Sequence, residues 1–504
     1  MMRFNSDNMT SDNVRIMQSH KDEIASGRIL NDTRFDRHKT VIAGSCDLIK
    51  RSALICVCLH SLAVLVPVLA APDDQRMIVH EWGTFTALQD EQGVAIGGIN
   101  TDDEPVPGFV HRMGALLYPN HEIPASWKKG APACHPDITI RLETPVVYFY
   151  PHGNWDEGKP LNVAVDFKGG WLTEYFPQAD VNAPGFPKPL LPTTHSTLNW
   201  KGITLGGEGS LMETTDHVWL APRKVRSTIV NGSDWSEKYL FYRGVGNINA
   251  PLRIKRDPES GRFLAYSQWP SEIPLTIAPS IEKIWLTQIL KDGRCAYASM
   301  DSVALKPEGV LLAQFPSSFK SDDFSTDGLL QLRRSIRTAV IDAGLYEDEA
   351  DALLNTWELS YFKSHGFRLF FLVPESWTNR ILPMHISEPT ELTRVMIGRI
   401  ELVTPEQRAA LGRIAEGPVP KIREWRSQLK IDWERSSKVW SGEKPLEYLV
   451  PEGGPAVPEL YQTYLDLGRF RNALLLDEYK RRPTEPLKQF MALEIRNWRK
   501  FDVR

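Results

Sequence analysis

From residue 77 to about 275 the chain is built of short runs of β-branched and aromatic residues separated by turn formers. This punctuation limits the fold more than any other feature. VVYFY (146–150), LNVAVDF (161–167), WLTEYF (171–176), HVWLA (217–221), KYLFYRGV (238–245) and PLRI (251–254) read as strands, with PHGNWDEGKP and PESGR as turns between them. Leu161, Val163, Val165 and Phe167 alternate on one face, the period of a half-buried strand. Many short strands with turn signals between them predict an antiparallel sandwich rather than a parallel sheet. NWKGITLGGEG (199–209) predicts one more strand and a glycine-rich loop; it lacks G-x-G-x-x-G and a helix start, so it is no nucleotide fingerprint.

The pattern changes after residue 320. GLLQLRRSIRTAVIDAGL and EDEADALLNTWELSYF carry apolar residues at helical spacing, and Glu347-Asp348-Glu349 sits where acids stabilise a helix N-terminus. FRLFFLVP (367–374) and LTRVMIGRIEL (392–402) read as strands, and TPEQRAALGRI as a helix with Thr404 at the N-cap and Pro405 at its first position. YQTYLDLGRFRNALLLDEYKRR resembles one helical hairpin of the tetratricopeptide type; a single unit lacks the stacked neighbours such repeats need, so it reads as a helical cap on the main body. The expected class is α+β: a β-sandwich-like domain over residues 71–320, an αβ segment over 321–418 and a helical tail over 419–504.

MIVHEWGTFT (77–86) opens the β-rich part. As a strand it places Ile78, His80, Trp82 and Thr84 on one face and Val79, Glu81, Gly83 and Phe85 on the other. His80 and Glu81 then point to opposite sides and cannot ligate one metal without a bulge, and Thr84 stands where H-E-x-x-H would need its second His. HEWGTFT resembles the opening of a family of secreted bacterial proteins of unknown function. Further matches fall at RLETPVVYFY (141–150), LTEYFP (172–177), YLFYRGVGN (239–247) and LTRVMIGRIEL (392–402), so the resemblance runs from residue 77 to about 410. It implies export and brings no catalytic residues with it.

Export is also what the N-terminus predicts. Lys50-Arg51 precedes an apolar run that ends in Val68-Leu69-Ala70 before Ala71, a signal-peptide pattern with a cleavage site. The alternative is an uncleaved Ser52–Ala71 segment of membrane-spanning length, which would be the only route to a membrane. Residues 1–70 hold nine basic and seven acidic residues, leaving 50 against 56 and a net charge near −6. With no run of Lys and Arg, nucleic acid is not an expected partner. Cys134 and Cys295 are the two cysteines after the leader, and the spacing leaves a disulfide and two free thiols both open.

The candidates for chemistry are few. His80, His111 and Asp103, with Glu81 close by, mix imidazole and carboxylate as a divalent metal requires, and such a metal would activate water for hydrolysis. Asp102-Asp103-Glu104 lacks the alternating pattern of a dedicated calcium loop. His121, His135, His152 and His195 complete the early histidines, with Asp156 and Glu157 near His152. Glu143 and Glu174 lie in aromatic strands, as the paired carboxylates of a glycoside hydrolase would; the opposing reading pairs each with an arginine, Arg141 or Arg243. Arg243 enters a glycine-bounded turn suited to holding a carboxylate or phosphate. Two readings follow: an envelope protein that binds carbohydrate or another protein, and a secreted metal-assisted hydrolase. The hydrolase needs convergent polar groups in one pocket, the binder an exposed patch or groove.

Overall fold

A computed structural model describes residues 76–101, 106–117, 127–186, 188–269, 279–428 and 454–495. The strand predicted at MIVHEWGTFT extends over Met77–Gln89 (β1), and every residue but Ile78 is buried. The strands that follow are β2 (His111–Arg112), β3 (Trp127–Lys128), β4 (Ala131–Pro132), β5 (Ile140–Leu142), β6 (Val146–Tyr150), β7 (Leu161–Lys168), β8 (Gly170–Phe176), β9 (Asp180–Asn182), β10 (His195–Leu205), β11 (Val230–Asn231), β12 (Ser236–Glu237), β13 (Leu240–Gly246), β14 (Leu252–Asp257), β15 (Arg262–Ser267), β16 (Ser280–Ile289), β17 (Cys295–Ala304), β18 (Leu311–Pro316), β19 (Gly366–Val373), β20 (Met384–Ile386) and β21 (Thr390–Leu402). Ten of them form one sheet in the order β17-β16-β19-β21-β1-β5-β13-β8-β2, with β6 beside β5 between β1 and β13. The sheet draws strands from both sides of residue 320. Its pairs are antiparallel except the central one: β1 and β21 run parallel over thirteen residues.

One face of this sheet packs on a second, in the order β12-β11-β10-β7-β20 with β9 on β10. Val79, Phe85, Leu142 and Val147 meet Val163, Val165, Phe167 and Trp200 there. The alternation read from Leu161–Phe167 is therefore the inner face of the smaller sheet, and its partners Asn162, Lys168 and their neighbours face outward. A third sheet, β14-β15-β18, extends the same core through Ile254, Phe263 and Ala265.

Helices cover the opposite face. The short helices α1 (Met113–Leu117) and α2 (His217–Leu220) precede α3 (Gly328–Asp342) and α4 (Glu347–Thr356). Leu332, Ile336 and Val340 of α3, spaced four apart, lie on Trp285, Phe370 and the Trp82 side of β1. After α5 (Glu375–Ile381) comes α6 (Pro405–Glu416), whose Thr404 hydroxyl accepts the Gln407 N–H at 3.3 Å while the Gln407 side chain accepts the Thr404 N–H, a capping box behind Pro405. With α7 (Val419–Gln428), α8 (Glu459–Leu465), α9 (Arg471–Arg481) and α10 (Glu485–Glu494) it forms a helical layer over Leu88, Trp171 and Val245. The fold class is α+β. HVWLA is helical rather than a strand: the Asp216 carbonyl accepts from both Trp219 and Leu220, and Pro222 ends the turn. Cys134 and Cys295 are both buried, in separate apolar clusters, and no disulfide joins them to each other. Among the described residues no helix is long and apolar enough to cross a membrane.

Candidate functional site

On the helix-covered face, the apolar cluster under α3 and α4 and the one under the C-terminal helices are separated by a band of buried charge. It begins where β5 breaks off and β6 resumes. The break, Glu143-Thr144-Pro145, lies beside Gly83 of β1; a Cβ there would stand 2.9 Å from the Pro145 Cα, so only glycine admits the proline. The Glu143 N–H donates to the Thr84 carbonyl at 2.7 Å, and Thr144 takes a φ of +85°, a strained conformation for a β-branched residue. The break carries the Glu143 side chain into the band.

Glu143 is fully buried there. Lys129 Nζ donates to its Oε2 at 2.7 Å and Arg141 Nη2 at 3.3 Å. Lys129 arrives on the two-residue turn between β3 and β4, where Lys129 and Gly130 both have positive φ, +47° and +67°, as a tight hairpin of this length favours. A Cβ on Gly130 would lie 2.6 Å from the Thr173 carbonyl, so the turn is pressed onto β8. Burial alone would raise the Glu143 pKa; Arg141 and Lys129 outweigh it and hold the carboxyl at about 2. Burial lowers the pKa of Lys129, opposed by Glu143.

Glu174 is the second carboxylate of the band. It lies in register with Arg243 on one side and Arg112 on the other. Arg243 Nε donates to its Oε2, and Arg112 Nε to its Oε1 at 3.1 Å. The Arg112 side chain is 43% exposed, so this end of the band meets solvent. Arg141 also donates to the Ile99 carbonyl and the Thr101 hydroxyl, both at 3.1 Å. Farther along the sheet, Arg399 and Arg368 have a structural task. A π-helical turn, Glu358–Lys363, leaves carbonyls that α-helical bonding would have used; Arg399 Nη1 donates to the Ser360 carbonyl at 2.7 Å and Arg368 Nη1 to the Tyr361 carbonyl at 2.9 Å.

The structure thus places Glu143, Glu174 and Arg243 in one band, each already paired as the arginine reading requires. Glu81 is elsewhere. It faces the smaller sheet, where the Tyr242 hydroxyl donates to Oε1 and Arg394 Nε to Oε2 at 2.5 Å. His80 points the opposite way, as the strand alternation predicts. Its Nδ1 is 2.8 Å from Glu349 Oε2, while Tyr150 donates to Glu349 Oε1 at 2.8 Å and the Tyr346 N–H donates to Oε2 at 2.7 Å. Glu349 is the last acid of the Glu347–Glu349 run, so the residue that caps α4 also holds the imidazole. His111, on β2, stacks on Tyr175, and partial burial lowers its pKa. Four strand spacings of about 4.8 Å, roughly 19 Å across the sheet, part β1 from β2, so His80 and His111 are not brought together. Asp103 and His121 lie outside the described residues. Among the described residues no three His, Cys, Asp or Glu side chains gather as a metal ion would require.

Sequence reasoning missed Lys129, Arg112, Glu349, Tyr242 and Arg394. Only Lys129-Gly130 carried a local signal, as a turn; the others are joined to their partners by pairings between distant segments. Compared with family models and with curated proteins, the chain matches none.

Proposed function

We propose that the protein is an exported protein of the cell envelope that binds a ligand and does not hydrolyse it. One observation carries this reading. Each of the three carboxylates that the sequence offered for acid–base work already receives two strong donors inside the fold: Glu81 from Tyr242 and Arg394, Glu143 from Lys129 and Arg141, Glu174 from Arg243 and Arg112. A hydrolase of the two-carboxylate kind needs one group that carries a proton near neutral pH; Glu143, held at about 2, carries none. The metal-assisted alternative needs ligands that converge, and His80 and His111 lie on strands four places apart. The apolar leader and the family resemblance support export. The strained turns around Glu143 then serve to fix the sheet against its helical layer, not to poise a reactive group.

The test is the metal content of the chain purified without chelator or affinity His-tag. Zinc, manganese and calcium are expected well below one equivalent, and unchanged in His80→Ala. One equivalent of metal, lost on that substitution, would overturn the binding reading in favour of the hydrolase.

A further inference from the structure

Away from the charged band, the edge hairpin β16–β17 and helix α3 stand apart over a groove of about 590 Å³, a volume usual for ligand sites. The sequence explains the gap. Facing the strands, α3 carries Ser335 and Ala339 and ends in Ala343 as its C-cap, spaced four apart and too short to close it, and Leu372 of β19 supplies an apolar floor. The rims carry acid: Glu282 and Asp301 from the strands and Asp342 from the helix, with Lys283 as the single lining cation. Lys283 is spent on Asp301. Among the described residues Glu282 takes one hydroxyl, from Ser280, and no cation, and Asp342 has neither a hydrogen bond nor an ion pair. Two uncompensated carboxylates, one on each wall, therefore stand over a floor of aliphatic carbon.

We propose that this groove is the binding site and takes an ammonium group carried on an aliphatic stem. The charge would meet Glu282 and Asp342, and the methylenes would lie on Ala339, Ala343 and Leu372, as long basic side chains bury their stems and keep their heads polar. The same chemistry is offered by a free polyamine and by a lysine side chain of a protein partner. The proposal rests on the binding reading above, and its test is independent of metal content.

Isothermal titration of the full chain with spermidine, and separately with the peptide acetyl-Ala-Lys-Ala-Lys-amide, reads it directly. Saturable one-to-one binding of at least one probe is expected, none with the Nε-acetylated peptide. E282Q and D342N should each weaken binding about twofold to fivefold, as exposed charges do. A339L, which narrows the groove over its apolar floor without changing charge, should weaken binding as well, with circular dichroism showing the fold retained. Spermidine alone binding identifies a polyamine site, and the peptide alone a protein docking site. Failure of both probes to saturate, or binding unchanged in A339L, overturns the groove. One equivalent of bound metal in the same preparation would instead strike the binding reading.

Discussion

Glu143→Gln replaces a fully buried carboxylate by a neutral amide and leaves Lys129 and Arg141 facing it. A carboxyl held at about 2 against its ordinary 4.5 favours the charged form by about 3 kcal/mol, at roughly 1.4 kcal/mol per tenfold. Breaking a buried ion pair by removing one partner costs about 3–5 kcal/mol, so the two lines of reasoning agree. The folded-state value lies below the unfolded one; the stabilisation is therefore complete above about pH 4.5 and is lost as the pH falls toward 2. More than half of it is gone by about pH 3. Urea unfolding followed by tryptophan fluorescence should show E143Q less stable by about 3 kcal/mol at pH 7 and by clearly less at pH 3, where protonation of the unfolded parent has already removed more than half of the advantage. The double variant K129M/E143Q, which removes the stranded ammonium, should recover part of the loss. A penalty below about 0.5 kcal/mol at pH 7, or one that does not shrink between pH 5 and pH 3, would refute the account of the band as a stabilising ion network.

Arg394→Ala strands Glu81 between the sheets with only the Tyr242 hydroxyl, and should cost about 3–5 kcal/mol in the same urea assay. Gly130→Ala meets both a positive φ and the Thr173 carbonyl; a loss above about 1 kcal/mol is expected, and E143Q should mask part of it if the turn acts through Lys129. His80→Ala removes a hydrogen bond to the Glu349 carboxylate and should cost about 2 kcal/mol, read by thermal unfolding. Burial raises the Cys295 thiol to about 11, so iodoacetamide at pH 8 should label it only in denaturant, as peptide mass spectrometry will show.

What could be read from the sequence follows from how far apart the interacting residues lie. The strands of 146–176, the α3 face and the Thr404 N-cap before Pro405 are set by spacings of two to eight residues, and the structure reproduces them. HVWLA has the composition of a strand yet turns into a helix, because its ends are fixed by Asp216 and Pro222 and its Trp219 indole by Glu237, eighteen residues on. The partners of the candidate site residues are farther still: His80 and Glu349 are 269 positions apart, Glu81 and Arg394 313. No periodicity spans such distances. The choice of arginine partners for Glu143 and Glu174 could be made from charge alone, because a carboxylate in an apolar strand needs a cation wherever the fold supplies one.

Two stretches that look independent in the sequence turn out to be one piece of geometry. Gly83 in HEWGTFT is the residue that lets Pro145 of RLETPVVYFY approach β1, and that approach breaks the neighbouring strand at Glu143. The break interrupts β-pairing, tilts a carboxylate toward the helical side and so creates the need for Arg141 on its own strand and Lys129 on a strained turn. The glycine is thus tied to the ion network without touching it. A side chain at position 83 would press the proline away, and the network would lose the geometry that holds Glu143 charged; a strand glycine that on composition alone looks like a weakness is what the arrangement depends on.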